Sequence, residues 1–125
     1  VTVFDTVTLT TTLASNTSST VPINKAKGFG IEYTTVGVSG ANPIVLQIEF
    51  SDDNTNWFQE TGQAYSAGVN TVKAKTRSIA DNGSGVLLDV DNKPIVAVAH
   101  YVRFKAAKTT AVTTTLLAKL IPLSL

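Results

Sequence analysis

The chain has 125 residues, a net charge of +1 and 15% charged residues. That length suits one domain with a real core, expected over residues 1–125, and the weak charge argues against wrapping duplex nucleic acid or lying on an anionic membrane. Cysteine is absent, which excludes disulfides, thiolate metal sites and cysteine nucleophiles.

No apolar run approaches 18 residues, so no membrane span is expected, and no signal-peptide pattern opens the chain. Methionine is absent even at position 1, so the expectation is a chain that has lost its initiator or a longer leader. Residues 2–13 set Val3, Val7 and Leu9 against Thr2, Thr6, Thr8 and Thr10, a strand with a polar outer face. Residues 14–20 (ASNTSST) read as a loop, and residues 21–27 as a short strand with Pro22 marking an edge or a start. Phe29, Ile31 and Tyr33 alternate with Gly30, Glu32 and Thr34, predicting a strand to about Val38, and residues 39–43 (SGANP) turn the chain.

The strongest pattern is residues 44–58. Ile44, Leu46, Ile48 and Phe50 fall on one side of a two-residue period, Gln47, Glu49 and Ser51 on the other, and a polar turn leads to Trp57 and Phe58. Trp57, the only tryptophan, is predicted to lie buried between sheets against Phe50 or Phe104. Residues 60–68 look irregular. Alternation returns over residues 69–80, and Asn82-Gly83 predicts a hairpin to a partner strand at 86–90. A turn at 91–94, a short apolar piece at 95–99, a strand at 101–107 and a closing strand at 112–121 complete the chain. The 19 threonines suit half-exposed strands, and no segment reads convincingly as a helix. Seven to nine short strands without crossover helices predict an all-β antiparallel sandwich, jelly-roll-like.

Few residues suggest chemistry. Asp52, Asn54 and Asn56 occupy the first, third and fifth places of a calcium-loop pattern. Trp57 stands where that loop needs glycine, and Gln63 where it needs a bidentate Glu, so an ordinary turn is expected and a weak cation site is the alternative. His100 is the only histidine, with no G-x-S-x-G elbow, and one imidazole makes a poor metal set. Gly28-Phe29-Gly30 lacks the third glycine and following helix of a dinucleotide fingerprint, so these glycines are expected to let a neighbour approach a strand. No enzyme, cofactor or metal is expected.

Lys73, Lys75 and Arg77 alternate along one predicted strand and share a face. They offer a stripe to an acidic partner, or a solvated face that discourages edge pairing. Interleaved stacking aromatics are missing, which argues against nucleic acid. Asn16-Thr17-Ser18 matches the glycosylation sequon. Val3 and Phe4 at one end, and Ile121, Leu123 and Leu125 at the other, are more apolar than solvated ends should be, so they are expected to dock on the core or on a neighbouring subunit.

Residues 45–57 (VLQIEFSDDNTNW), followed by Tyr101-Val102-Arg103-Phe104 and a Thr-rich closing strand, resemble a recurrent β-sandwich of tailed-phage virions, found in capsid decoration proteins, head fibres and baseplate parts. Asn54 stands where the common form has glycine. The resemblance implies a structural, non-enzymatic virion protein that contacts other virion proteins as a repeated subunit, a trimer favoured. Similar turns occur in carbohydrate-binding sandwiches, so a glycan-binding module is the alternative, with Trp57 and Tyr65 as its only platform candidates.

Overall fold

The computed structural model describes residues 1–24, 27–66 and 69–124, and their side chains except those of residues 62–72. Among these residues twelve strands follow one another: β1 (Thr2–Thr8), β2 (Val21–Pro22), β3 (Gly28–Val36), β4 (Ile44–Ser51), β5 (Phe58–Gln59), β6 (Thr61–Ser66), β7 (Val69–Ala74), β8 (Arg77–Ile79), β9 (Gly83–Leu87), β10 (Ile95–Val96), β11 (Tyr101–Lys108) and β12 (Thr115–Leu123). Helical turns among the described residues are confined to two short 3₁₀ pieces, Leu13–Ser15 and Val90–Asn92.

The first sheet runs β1-β12-β3, with β9 and β10 end to end along the far side of β3. The second runs β2-β11-β4, with β5 and β8 end to end along β4. All pairings are antiparallel. Treating β5 with β8, and β9 with β10, as interrupted single strands leaves eight positions, ordered 1-8-3-6 and 2-7-4-5. That is the jelly roll that the alternation predicts. The strand at position five is interrupted by β6 and β7, which pair only with each other as a hairpin arm. Lys75 N–H donates to Glu60 C=O at 2.8 Å and closes the arm's root.

The core lies between the two sheets. Ile44, Leu46, Ile48 and Phe50 of β4 and Val102, Phe104 and Ala106 of β11 face Phe29 and Ile31 of β3 and Leu116, Ala118 and Leu120 of β12. The Phe29 ring meets Phe50 and Phe104 edge-on, centroids 6.5 and 6.1 Å away. Each such side chain contributes about 1.5–3 kcal/mol by leaving water.

Several expectations of the local structure need correction, the first being that residues 60–68, expected to be irregular, hold the paired strand β6. Val3 and Phe4 are adjacent yet both buried, because the β1–β12 register shifts on either side of Phe4 and Thr6 takes φ 49. A bulge of this kind breaks strict alternation. Residues 69–80 are not one strand: β7 belongs to the arm and β8 to the second sheet. Asn82-Gly83 makes no hairpin either, since it carries the chain from β8 on β4 to β9 on β3. Val38 N–H donates to Asn82 Oδ1 at 2.6 Å and Thr35 Oγ1 to Asp81 C=O at 2.8 Å, tying this turn to the end of β3. Only Gly83 of the pair has positive φ, whereas a type I′ hairpin needs both.

Candidate functional site

The expected basic stripe is dispersed. Lys73 is exposed on the arm, opposite Gly62, while Arg77 is buried at the edge of the second sheet. Its guanidinium forks onto Glu60, Nε to Oε1 at 3.2 Å and Nη2 to Oε2 at 3.0 Å, and reaches Asp89 Oδ1 at 3.3 Å. Lys75 Nζ lies 3.5 Å from the same Asp89 oxygen. These four residues staple the arm's root to the excursion between β9 and β10. Burial pushes the Asp89 carboxyl up, but the Val90 N–H and the Arg77 and Lys75 charges together hold it below its ordinary value. A stripe for an acidic partner is therefore lost, because two of its three cations are already paired.

In the turn after β4 the organising carboxylate is Asp53, which the calcium pattern skips. It accepts from the backbone N–H of Asn56 at 2.8 Å and of Thr55 at 2.9 Å, from the Asn56 amide at 2.8 Å and from Ser51 Oγ at 3.0 Å. These bonds, the Asn56 N–H first, hold the Asp53 carboxyl far below the usual range. Asn54 takes φ 59, the conformation that suits glycine and that asparagine tolerates. Asp52 turns away to His100, whose backbone N–H donates to Oδ1 at 3.3 Å and whose ring Nδ1 lies 3.1 Å from the same oxygen. Asp52 and Asn56 thus hold different partners, and among the described residues no three His, Cys, Asp or Glu side chains could hold a metal together.

Trp57 is also misplaced by the sequence. It is half-buried and lies outside the core cluster, and its neighbour Phe58, opposite Phe50 on the sheet's edge, is exposed and lies outside it too. The Trp57 ring covers the outer face of the second sheet, where Arg103 donates from Nε to Glu49 Oε1 at 2.8 Å and Lys105 Nζ lies 3.4 Å from the same oxygen. Two residues from Arg103, Tyr101 borders an open cleft of roughly 420 Å³ shared with Pro22, Ile23, Asn24, Asp52 and His100. The Tyr65 side chain lies outside the described residues.

The first sheet shows the opposite chemistry on its outer face. A Cβ on Gly30 would meet Leu88 at 3.0 Å and Leu123 and Val86 at 3.4 Å, so three apolar side chains close over that glycine. Ile121 pairs directly with Gly30 and is half-buried. Gly30 lets these neighbours approach the strand, as expected. Of the terminal residues, Ile121 and Leu123 lie on this outer face, whereas Val3 and Phe4 belong to their own core and present nothing to a partner. Leu125 lies outside the described residues. The sequence signal for Val86 and Leu88 is the run Val86-Leu87-Leu88, which a period of two cannot assign to one face.

Asn16 of the sequon is buried, its Nδ2 donating to Ala106 C=O at 2.9 Å and Thr12 C=O at 3.1 Å. Comparison with protein-family models, with curated proteins and with solved structures returned no match.

Proposed function

We propose that this chain is a structural protein of a virion, a repeated subunit that decorates or builds a capsid or tail assembly through protein–protein contacts. The observation that carries the contact reading is the apolar cluster of Val86, Leu88 and Leu123 over Gly30, on the solvent side of the first sheet. A sandwich buries apolar residues between its sheets, so an apolar group on an outer face marks a surface that a partner covers. The virion reading rests on the resemblance of residues 45–57 and 101–104, and jelly rolls are common among viral capsid proteins. The test is light scattering of the protein alone, then binding to capsids and tails, with Ile121→Ser/Leu123→Ser as the comparison. Assembly or binding that this variant weakens is the expected result. A monomer that binds neither surface would overturn the reading.

A second reading has its own observation: Trp57 lies outside the core and Tyr101 borders a polar cleft on the same sheet's outer face. An aromatic wall beside Asn24 and Asp52 suits the hydroxyls and the apolar face of a sugar ring, and lectins also use jelly rolls. A glycan array run with calcium and with chelator tests it. Binding lost in Tyr101→Ala supports a glycan module, and a blank array removes it.

A further inference from the structure

Every described sandwich edge but one carries a feature that discourages pairing with another chain. β1 is bulged twice, and β2 has two residues and ends in proline. β5 and β10 have two residues each, and β8 has three with Arg77 buried at its start. Short strands, bulges, proline and inward charges are the usual ways of blunting an edge.

β9 has none of the last three. Residues 83–88 (GSGVLL) contain no charge and no proline. The ladder to β3 runs without a register shift from Ile31↔Leu87 to Thr35↔Gly83, and among the described residues β9 pairs with no other strand. Its outward side makes no backbone hydrogen bond among the described residues. Val86 is 53% exposed beside this edge, and it belongs to the apolar cluster over Gly30.

We propose that β9 pairs antiparallel with β9 of a second copy across a two-fold axis at Gly85, joining two first sheets into one continuous sheet. This rests on the repeated-subunit reading and names its contact. The partner must be a strand, because what the edge offers is a row of backbone donors and acceptors. The second copy is favoured because this strand is complementary to itself. Centred on Gly85, Ser84 of each copy lies opposite Val86 of the other, and no like charges meet. The two outer-face apolar clusters come side by side, which partly covers both Val86 side chains. A two-fold axis gives a dimer or an even-numbered assembly, not the trimer that the resemblance implies.

Light scattering of the full chain over a concentration series is expected to show a dimer. Ser84→Lys/Val86→Lys sets like charges opposite at both contacts, and the dimer should be lost with the circular dichroism spectrum unchanged. Ser84→Glu/Val86→Lys sets opposite charges at the same contacts and should restore it. If the double-lysine variant unfolds, hydrogen exchange of the wild type decides instead: outward amides of residues 83–87 must gain protection with concentration. A dimer that survives both lysines, a charge-swapped variant as monomeric as the double-lysine one, a trimer, or dimer-independent exchange overturns β9 pairing. A strand peptide from another virion protein that binds this edge while the wild type stays monomeric also overturns it, yet leaves the assembly reading standing. A monomer that binds no capsid or tail surface overturns both.

Discussion

Arg103 holds its guanidinium carbon 4.2 Å from the centroid of the Trp57 ring while its Nε donates to Glu49 at 2.8 Å. The only tryptophan is therefore a cover over an outer-face ion pair. A cation over an indole face contributes about 0.5–1 kcal/mol, more where water is excluded. Trp57→Ala should cost about 1–2 kcal/mol, whereas Phe104→Ala, fully buried, should cost about 3–5 kcal/mol. Urea midpoints compare the two. Equal losses would return Trp57 to the core.

Gly37 takes φ +85, and a Cβ there would collide with the Thr113 carbonyl oxygen. Gly40, three residues on, has open space where a Cβ would go. Left-handed backbone costs a non-glycine residue about 1–3 kcal/mol before any clash. Gly37→Ala should therefore lose about 3 kcal/mol or more, and Gly40→Ala less than about 0.5 kcal/mol. Two thermal melts settle the comparison, and similar shifts would mean that the turn relaxes around the added methyl.

What the sequence reveals here depends on how far a local pattern constrains distant pairing. β4 and β11 pair over eight residues with an uninterrupted period of two, and the core they build is the one the alternation implies. Period two says nothing about which sheet a strand joins. Lys73, Lys75 and Arg77 therefore look like one face until the chain leaves β4 at Glu60, makes the arm and returns at Arg77. The same limit hides the role of Asn82-Gly83, whose direction is set by hydrogen bonds from Thr35 and Val38, more than 40 residues earlier. The alternation places Trp57 in the core, yet neither adjacent aromatic enters it: Phe58 sits 48% exposed on the two-residue edge strand opposite Phe50, and Trp57 precedes that strand. The pattern around Gly30 implies a close approach, but the side chains that approach it, Leu88 and Leu123, come from opposite neighbouring segments.

Asn16 bridges the loop after β1 to β11, since its amide donates to Ala106 C=O at 2.9 Å and to Thr10 Oγ1 at 2.9 Å. Asn16→Ala takes this donor from the buried Ala106 carbonyl, a loss of about 1–3 kcal/mol. Asn16→Asp should lose more at neutral pH, because a carboxylate would face carbonyl oxygens. The same burial keeps the sequon from use in the folded protein. Expression through a secretory route followed by mass spectrometry should find Asn16 unmodified in natively folded material, and a glycan there on folded protein would contradict this.

The ion cluster at the arm's root gives a pH dependence with a defined sign. Arg77 has 8% of its side chain exposed and Lys75 35%, so the two cations should not contribute alike. Removing Arg77 leaves Glu60, only 16% exposed, without its fork, and Arg77→Met should cost about 2–4 kcal/mol. Lys75→Met, at a solvated pair, should cost less than about 1 kcal/mol. Because the folded Asp89 pKa lies below its ordinary value of 3.8, its contribution is present above that value and is lost as pH falls through the folded pKa. Urea midpoints of the wild type should therefore decline from pH 5 toward pH 3. Asp53, lowered for its own reasons, declines in every variant and forms a common background. Arg77→Met removes one of the charges that lower Asp89, so its acid decline should be shallower than the wild type's. Parallel slopes would show that the Val90 N–H and Lys75 hold the Asp89 carboxylate without Arg77, and that Arg77 secures the arm through Glu60.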